Sequence, residues 1–197
     1  MLYGDTSLLA IFGPMIVHIC GTPKKFKVCI KGADLNYHLP LLDMQNQTLR
    51  TAATLSLSKL MCVSTHFCEA NLMLLFKIVE TSKDPTIRSN AIIALGDVAV
   101  RFSHLIDENN NKLYEGLSDK DIVVKKNTLM VLTYLILGSM IKVKGQLGEM
   151  AKCLEDEDAR IADLAKLFFT ELSSNKDNAI YNNLPDGEIF NSILVTF

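Results

Sequence analysis

Three stretches of the chain lie on one another at a fixed interval, and that repeat restricts the fold more than any other feature. "KDPTIRSNAIIALGDVAVRF" (83–102), "KDIVVKKNTLMVLTYLILGS" (120–139) and "EDARIADLAKLFFTELSSNK" (157–176) put Asp84, Asp121 and Asp158 in one column, 37 residues apart. Ile87, Val124 and Ile161 form a second column, followed by Leu95, Leu132 and Phe169, then Val98, Leu135 and Leu172. An upstream copy fits at an offset of 38 through Leu49, Arg50, Ala53, Leu57 and Leu60. A period of this length marks a stack of small units, each unable to bury its own apolar face.

Each copy reads as a helix. Ile87, Ala91, Ala94, Leu95, Val98 and Phe102 recur at helical spacing and make one apolar stripe. Asp84 suits the N-cap, where a carboxylate accepts from an orphan backbone N–H, and Pro85 suits the next position, which needs no donor. Asp121 and Asp158 repeat the cap. Shorter apolar segments precede these helices at 71–80, 111–117 and 145–154, so the unit is helix A, turn, helix B.

The expected fold is therefore an all-α solenoid of the two-helix HEAT class, forming one domain over 1–197. Its units span about 5–63, 68–102, 109–139 and 144–173, with an insertion at 27–47 and a divergent tail at 187–197. The apolar ending "IFNSILVTF" lacks a polar capping face and reads as a piece of a longer array or an atypical isoform. Scarce Gly and Pro (10 and 5) and the absence of Trp fit helices better than many short strands.

Composition narrows function. A net charge of −2 gives no global field for nucleic acid, so phosphate contact would need a local patch. Five cysteines, at 20, 29, 62, 68 and 153, show no framework spacing and read as reduced thiols of an intracellular protein. The apolar runs at 7–20 and 129–143 fall short of a membrane span, which needs about 20 residues. The N-terminus lacks the basic region and cleavage site of a signal peptide.

No phosphate loop, nucleophile elbow or zinc-protease motif occurs, and no catalytic residue, metal or cofactor is expected. Cys62, His66 and Cys68 have no standard zinc spacing; they read as a buried thiol ending a B helix and two residues in the next turn. Asp97 lies off the apolar stripe and is expected to pair with Arg101 at i, i+4. The acidic run 155–158 reads as a solvated turn with capping acids, like Asp119 and Asp121 before it.

Basic residues are the candidates for binding. Arg50, Arg88 and Lys125 share one column, and stacking should pair them with turn aspartates such as Asp119 and Asp156 in a ladder. Lys126, Lys142 and Lys144 have no repeated partner. Together with Lys125 they are the candidate DNA or phosphate contacts, the last two in "MIKVKGQ" (140–146) after a B helix. Lys24, Lys25, Lys27 and Lys31 cluster beside the insertion.

The strings inside the repeats are specific. "RTAATLSLSKLMCVSTHFCEANLMLLF" (50–76), "IRSNAIIALGDVAVRFSHLID" (87–107), "KNTLMVLTYLILGSMIKVKGQLGEMAKCLEDED" (126–158) and "IADLAKLFFTELSSNKDNAIYNNLPD" (161–186) resemble the condensin complex subunit 1 family, the HEAT-repeat non-SMC subunits of condensin I. The resemblance covers 48–186 and, more weakly, 7–26; the 27–47 segment and the residues after Asp186 depart from it. It implies a non-enzymatic regulatory scaffold in mitotic chromosome condensation, with kleisin, SMC subunits and chromatin DNA as partners. It also implies a nuclear and chromosomal location with a cytoplasmic pool, and no membrane or small-molecule substrate. A transport adaptor or general peptide-binding solenoid is the alternative; it would present regularly placed Asn, Trp or acidic residues on helix B, columns the sequence does not keep.

Overall fold

A computed structural model describes residues 7–21, 46–107, 109–141, 143 and 146–174. Among these residues all regular structure is helical: α1 (Leu8–Gly21), α2 (Gln47–Val63), α3 (Thr65–Thr81), α4 (Pro85–Arg101), α5 (Ser103–Ile106), α6 (Asn110–Tyr114), α7 (Ile122–Leu137), α8 (Leu147–Lys152) and α9 (Ala159–Ser174). Two 3₁₀ turns, Glu115–Ser118 and Cys153–Glu155, extend α6 and α8. The result is the all-α helical repeat that the periodicity implies.

Helices α2, α4, α7 and α9 form a continuous row, each packed on the next, while α1, α3, α6 and α8 precede them in the chain as the A elements. Every member of the three columns headed by Ile87, Leu95 and Val98 is buried. A fourth column explains how closely the row packs: Ala53, Ala91, Thr128 and Ala165 are all buried and small. Short side chains at a shared position let neighbouring helix backbones approach.

Helix α4 has the most complete burial, because α2 and α7 flank it and the long helix α3 packs on it as well. Beyond the apolar stripe, Ser89, Ile92, Gly96 and Ala99 are also enclosed. Gly96 is required by its neighbour: a Cβ there would lie 2.8 Å from Cγ1 of Val131 on α7. Asn127 of α7 donates from Nδ2 to Ser89 Oγ at 2.5 Å across the same contact. In α2, which has a B-helix neighbour on one side only, the core stripe runs through Ala53, Leu57 and Met61. Leu60, the expected core position, is only half-buried.

The turns follow from their side chains. Asp84 accepts from Thr86 N (2.9 Å), Asp121 from Val123 N and Val124 N (2.9 and 3.2 Å), and Asp158 from Arg160 N (2.9 Å). Each thereby supplies an acceptor to N–H groups that the first helical turn leaves unpaired. Between α2 and α3 a single residue, Ser64, suffices, and its hydroxyl accepts from Phe67 N at 3.2 Å. Helix α3 therefore begins at Thr65, and His66 and Cys68 lie in its first two turns rather than in a loop. Helix α7 ends in a reversal with Ser139 in the left-handed region, φ 54°. Ser139 N donates to Ile136 O (2.9 Å) and Met140 N to Leu135 O (2.8 Å), pairing carbonyls that the helix end would leave open.

Candidate interaction surfaces

The A–B turns hold the most organised polar chemistry. Arg88, at the start of α4, sends Nε and Nη2 to the two carboxylate oxygens of Asp119 at 2.7 and 2.8 Å. Its Nη1 donates to Ser82 O at 2.8 Å, so one guanidinium ties its own turn to that of the next unit. Thirty-seven residues on, Lys125 Nζ donates to Asp156 Oδ2 at 2.5 Å. Both carboxylates also accept from a backbone N–H, Asp119 from Asp121 N (2.8 Å) and Asp156 from Asp158 N (3.0 Å). The 3₁₀ turns at Glu115–Ser118 and Cys153–Glu155 deliver these aspartates to the same place in successive units.

The first unit departs from this pattern. The position equivalent to Asp119 is Ser82, so the Arg50 column meets no carboxylate there. The link across this contact is a neutral donor on a charged acceptor, Gln47 Nε2 to Asp84 Oδ2 at 2.6 Å. On the A side, Lys112 of α6 reaches Glu80 of α3 at 3.1 Å and lies 5.7 Å from the Phe76 ring centroid.

Electrostatics follow the geometry. Burial raises the Asp119 carboxyl, but the Arg88 hydrogen bonds and the Asp121 and Lys120 N–H groups outweigh it and hold it below the ordinary range. The Lys125 ammonium does the same for Asp156, and each basic partner is raised in turn. Arg160 draws Asp158 down to about 2. The acidic run therefore splits into roles, with Asp156 in the ladder, Asp158 on a cap, and Glu155 and Glu157 in solvent.

Of the candidate phosphate contacts, Lys125 is engaged by Asp156 and Lys126 stands exposed. Lys142 and Lys144 lie outside the described residues, as do Lys24, Lys25, Lys27 and Lys31, residues 27–45 of the expected insertion and the segment 187–197; Asn46 and Gln47, the end of that insertion, are instead the N-cap and first residue of α2. Asp97 and Arg101 are both exposed and form no ion pair with each other; the i, i+4 spacing brings the two side chains close without fixing them. Burial pushes Cys68 up to about 11, and Cys20 likewise against an opposing Thr54 hydrogen bond, so both are inert thiols. Among the described residues no group of His, Cys, Asp and Glu could hold a metal, and no helix is long and apolar enough to cross a membrane.

One column escaped the sequence reading. Leu55, Ile93, Met130 and Leu167 occupy equivalent positions of α2, α4, α7 and α9, and all four are exposed. Nothing in an apolar helix marks which of its leucines face outward, and only the repeat offset applied to exposure reveals the row.

Comparison with known proteins agrees with the repeats. The family described as non-SMC mitotic condensation complex subunit 1 matches residues 86–194, running past Asp186 where the resemblance was expected to stop. Condensin complex subunit 1 of Saccharomyces cerevisiae is 46% identical over 186 residues, covering 94% of this chain and 14% of the relative. The Homo sapiens subunit of the same name is 42% identical over 90% of this chain and 11% of its own length. The Mus musculus condensin-2 complex subunit D3 is more distant, 26% identical over 68% of the chain. The chain thus spans roughly one-seventh of the yeast relative. On the family match and the identities together, it belongs to the family of non-SMC mitotic condensation complex subunit 1.

Proposed function

We propose that this chain serves as a non-enzymatic scaffold segment of a condensin subunit, acting in mitotic chromosome condensation on chromosomes in the nucleus. In this reading it docks the kleisin subunit, joins the SMC subunits through the assembled complex, and adds a contact to chromatin DNA. The observation that carries it is the match of family strings to a repeat lattice whose half-buried charged groups link successive units. Arg88, Asp119, Lys125 and Asp156 all bond to one another or to the backbone, which is work of support rather than of catalysis. A cytoplasmic pool belongs to the same proposal.

The DNA contact rests on Lys126, Lys142 and Lys144, because the charge of Lys125 is offset by Asp156. Co-purification of kleisin with the chain tests the docking role; failure of the wild-type chain to retain kleisin refutes it. For DNA, reversing Lys126, Lys142 and Lys144 to Glu should weaken duplex binding and reduce the salt slope by about one unit per lost phosphate contact. An unchanged slope assigns these lysines to solvent. A transport adaptor or general peptide-binding solenoid is the competing reading, supported by the exposed apolar column and weakened by the lack of any Trp for a cargo groove.

A further inference from the structure

One position of the A–B turn carries a carboxylate in two units and a hydroxyl in a third. Asp119 and Asp156 directly follow the A element of their units, with φ −63°, ψ 146° and φ −65°, ψ 141°. Ser82 directly follows α3 in the same backbone conformation, φ −68°, ψ 129°. Its side chain also turns the same way. The two carboxylates accept from the N–H two residues on, and Ser82 Oγ lies 3.5 Å from Asp84 O, likewise two residues on. That contact is long for a hydroxyl donor and leaves the Ser82 oxygen weakly held. A group attached to Ser82 Oγ therefore extends as Asp119 and Asp156 do, toward the basic column of the preceding B helix.

Arg50, the first member of that column, is half-buried and forms no ion pair among the described residues. A second guanidinium adjoins the same residue, for Arg88 Nη1 donates to Ser82 O at 2.8 Å. The acid two residues on, Asp84, is already bound to Gln47 Nε2 and Thr86 N at 2.6 and 2.9 Å. The position lacks an anion, and a phosphate ester of the Ser82 hydroxyl supplies one, with a charge of about −1.5 to −2 and three acceptor oxygens. Guanidinium groups are the preferred partners of phosphate, because their fork of N–H donors matches its oxygens. Ser82 is also open to an enzyme: it is half-exposed between exposed Thr81 and Lys83, and the backbone at Ser82 and Asp84 is extended. Neighbouring hydroxyls are worse placed. Thr81 Oγ1 donates to Lys77 O within the last turn of α3, and Ser118 precedes Asp119, whose carboxylate already meets Arg88.

We propose that Ser82 is a phosphorylation site whose phosphate pairs with Arg50, beside Arg88, and completes the turn ladder between the first and second units. A protein kinase transfers the γ-phosphoryl group of ATP to Ser82 Oγ; the P–O bond to ADP breaks, and the hydroxyl proton passes to the basic carboxylate of the kinase. Hydrolysis by a phosphatase restores the hydroxyl. The contact between α2 and α4 thereby becomes adjustable, whereas the clasp between α4 and α7 is built in. The inference holds whichever partner the scaffold carries.

Two experiments on the full chain test the site and its effect. In the first, the chain is incubated with magnesium ATP and an extract of dividing Saccharomyces cerevisiae cells, and phosphate is mapped by mass spectrometry with Ser82→Ala as the blank. Ser82 should carry more phosphate than Thr81 or Ser118, and added phosphatase should remove it. In the second, the chain is made with phosphoserine at position 82 by genetic-code expansion and compared with the unmodified chain. Its Tm should rise by about 3 °C or more. The phosphorus NMR titration midpoint, about 6 for a free phosphoserine peptide, should fall to about 5.5 or lower in the folded chain and return toward 6 in urea. Arg50→Ala should abolish both effects and Arg50→Lys should keep part of them. Arg50→Gln, which retains the side-chain stem, serves as the second variant if Arg50→Ala loses helicity. Absence of phosphate from Ser82 in the extract overturns the proposal. So does a Tm that falls or stays unchanged on phosphorylation, or a lowered midpoint that persists in Arg50→Ala and Arg50→Gln.

Discussion

Removing the Asp119 carboxylate tests whether the ladder fixes the stack. Asp119→Ala deletes two charge-assisted hydrogen bonds at 2.7 and 2.8 Å and strands the Arg88 guanidinium. It also removes the acceptor for Asp121 N. Exposed ion pairs contribute about 0–1 kcal/mol, whereas breaking a buried one costs about 3–5 kcal/mol. The Arg88 and Asp119 side chains are only 15% and 13% accessible, nearer the buried limit. The expected loss, discounted for that access, is about 2–3 kcal/mol, which for a chain of this size lowers Tm by about 4–12 °C. Urea unfolding of the wild type, Arg88→Ala, Asp119→Ala and the double variant forms a thermodynamic cycle. The coupling should exceed about 1 kcal/mol, because the two groups bond each other directly. Asp119→Asn, which keeps an acceptor for Asp121 N, should fall between wild type and Asp119→Ala. Asp156→Ala should cost less, about 1–2 kcal/mol, since Lys125 offers one bond and is more accessible. A coupling within about 0.3 kcal/mol of zero would show that the two changes simply add, and would refute the ladder as a stabilising device.

Acid should act on the same pairs. Asp119 and Asp156 have folded-state values below their unfolded ones, so their contribution is full above about pH 4 and is lost as pH falls through the folded values; thermal melts from pH 7 to pH 2 should show this, more shallowly in Asp119→Ala. Gly96→Ala gains helix propensity but drives Cβ to 2.8 Å from Val131, so chemical denaturation should give a net loss of about 1 kcal/mol that Val131→Ala partly restores. Ser139→Gly relieves a left-handed residue at the end of α7 and should stabilise by about 0.5–1 kcal/mol in the same assay. Cys20 and Cys68, both near 11 and buried, should resist maleimide at pH 7 in the folded chain, read by mass spectrometry, and react once urea unfolds it.

The columns of Ile87, Leu95 and Val98 were legible because burial recurs with the unit, and Asp84 with Pro85 because capping is local chemistry. Pairing of Arg88 and Lys125 with turn aspartates could be anticipated from their shared column. Asp119 and Asp156 could be named as ladder members too, but the 3₁₀ turns at Glu115–Ser118 and Cys153–Glu155 that carry them there are announced by no periodic pattern. Leu60 stays half-buried where its counterpart Val98 is enclosed, because α2 has a B-helix neighbour on one side only, a difference between units that a shared repeat pattern does not carry. The continuous α3 was missed because Ser64 alone makes the turn, without the Gly or Pro that usually marks one. The exposed column of Leu55, Ile93, Met130 and Leu167 was hidden for a related reason, since sequence records that a residue is apolar and not which way it faces.

The three contacts along the B row differ in how they would yield under load. The α2–α4 contact is bridged by Gln47 and Asp84, that between α4 and α7 by the two-pronged Arg88 clasp, and the fourth unit is joined through Lys125 and Asp156. A chain stretched from its ends would therefore not open evenly. Tension would part an outer unit, the first or the fourth, each joined by a single bond, while the clasp at Arg88 still held. Ser82→Asp would offer Arg50 the carboxylate its column lacks there, and in a single-molecule pulling trace should raise only the force at which the α2–α4 contact yields.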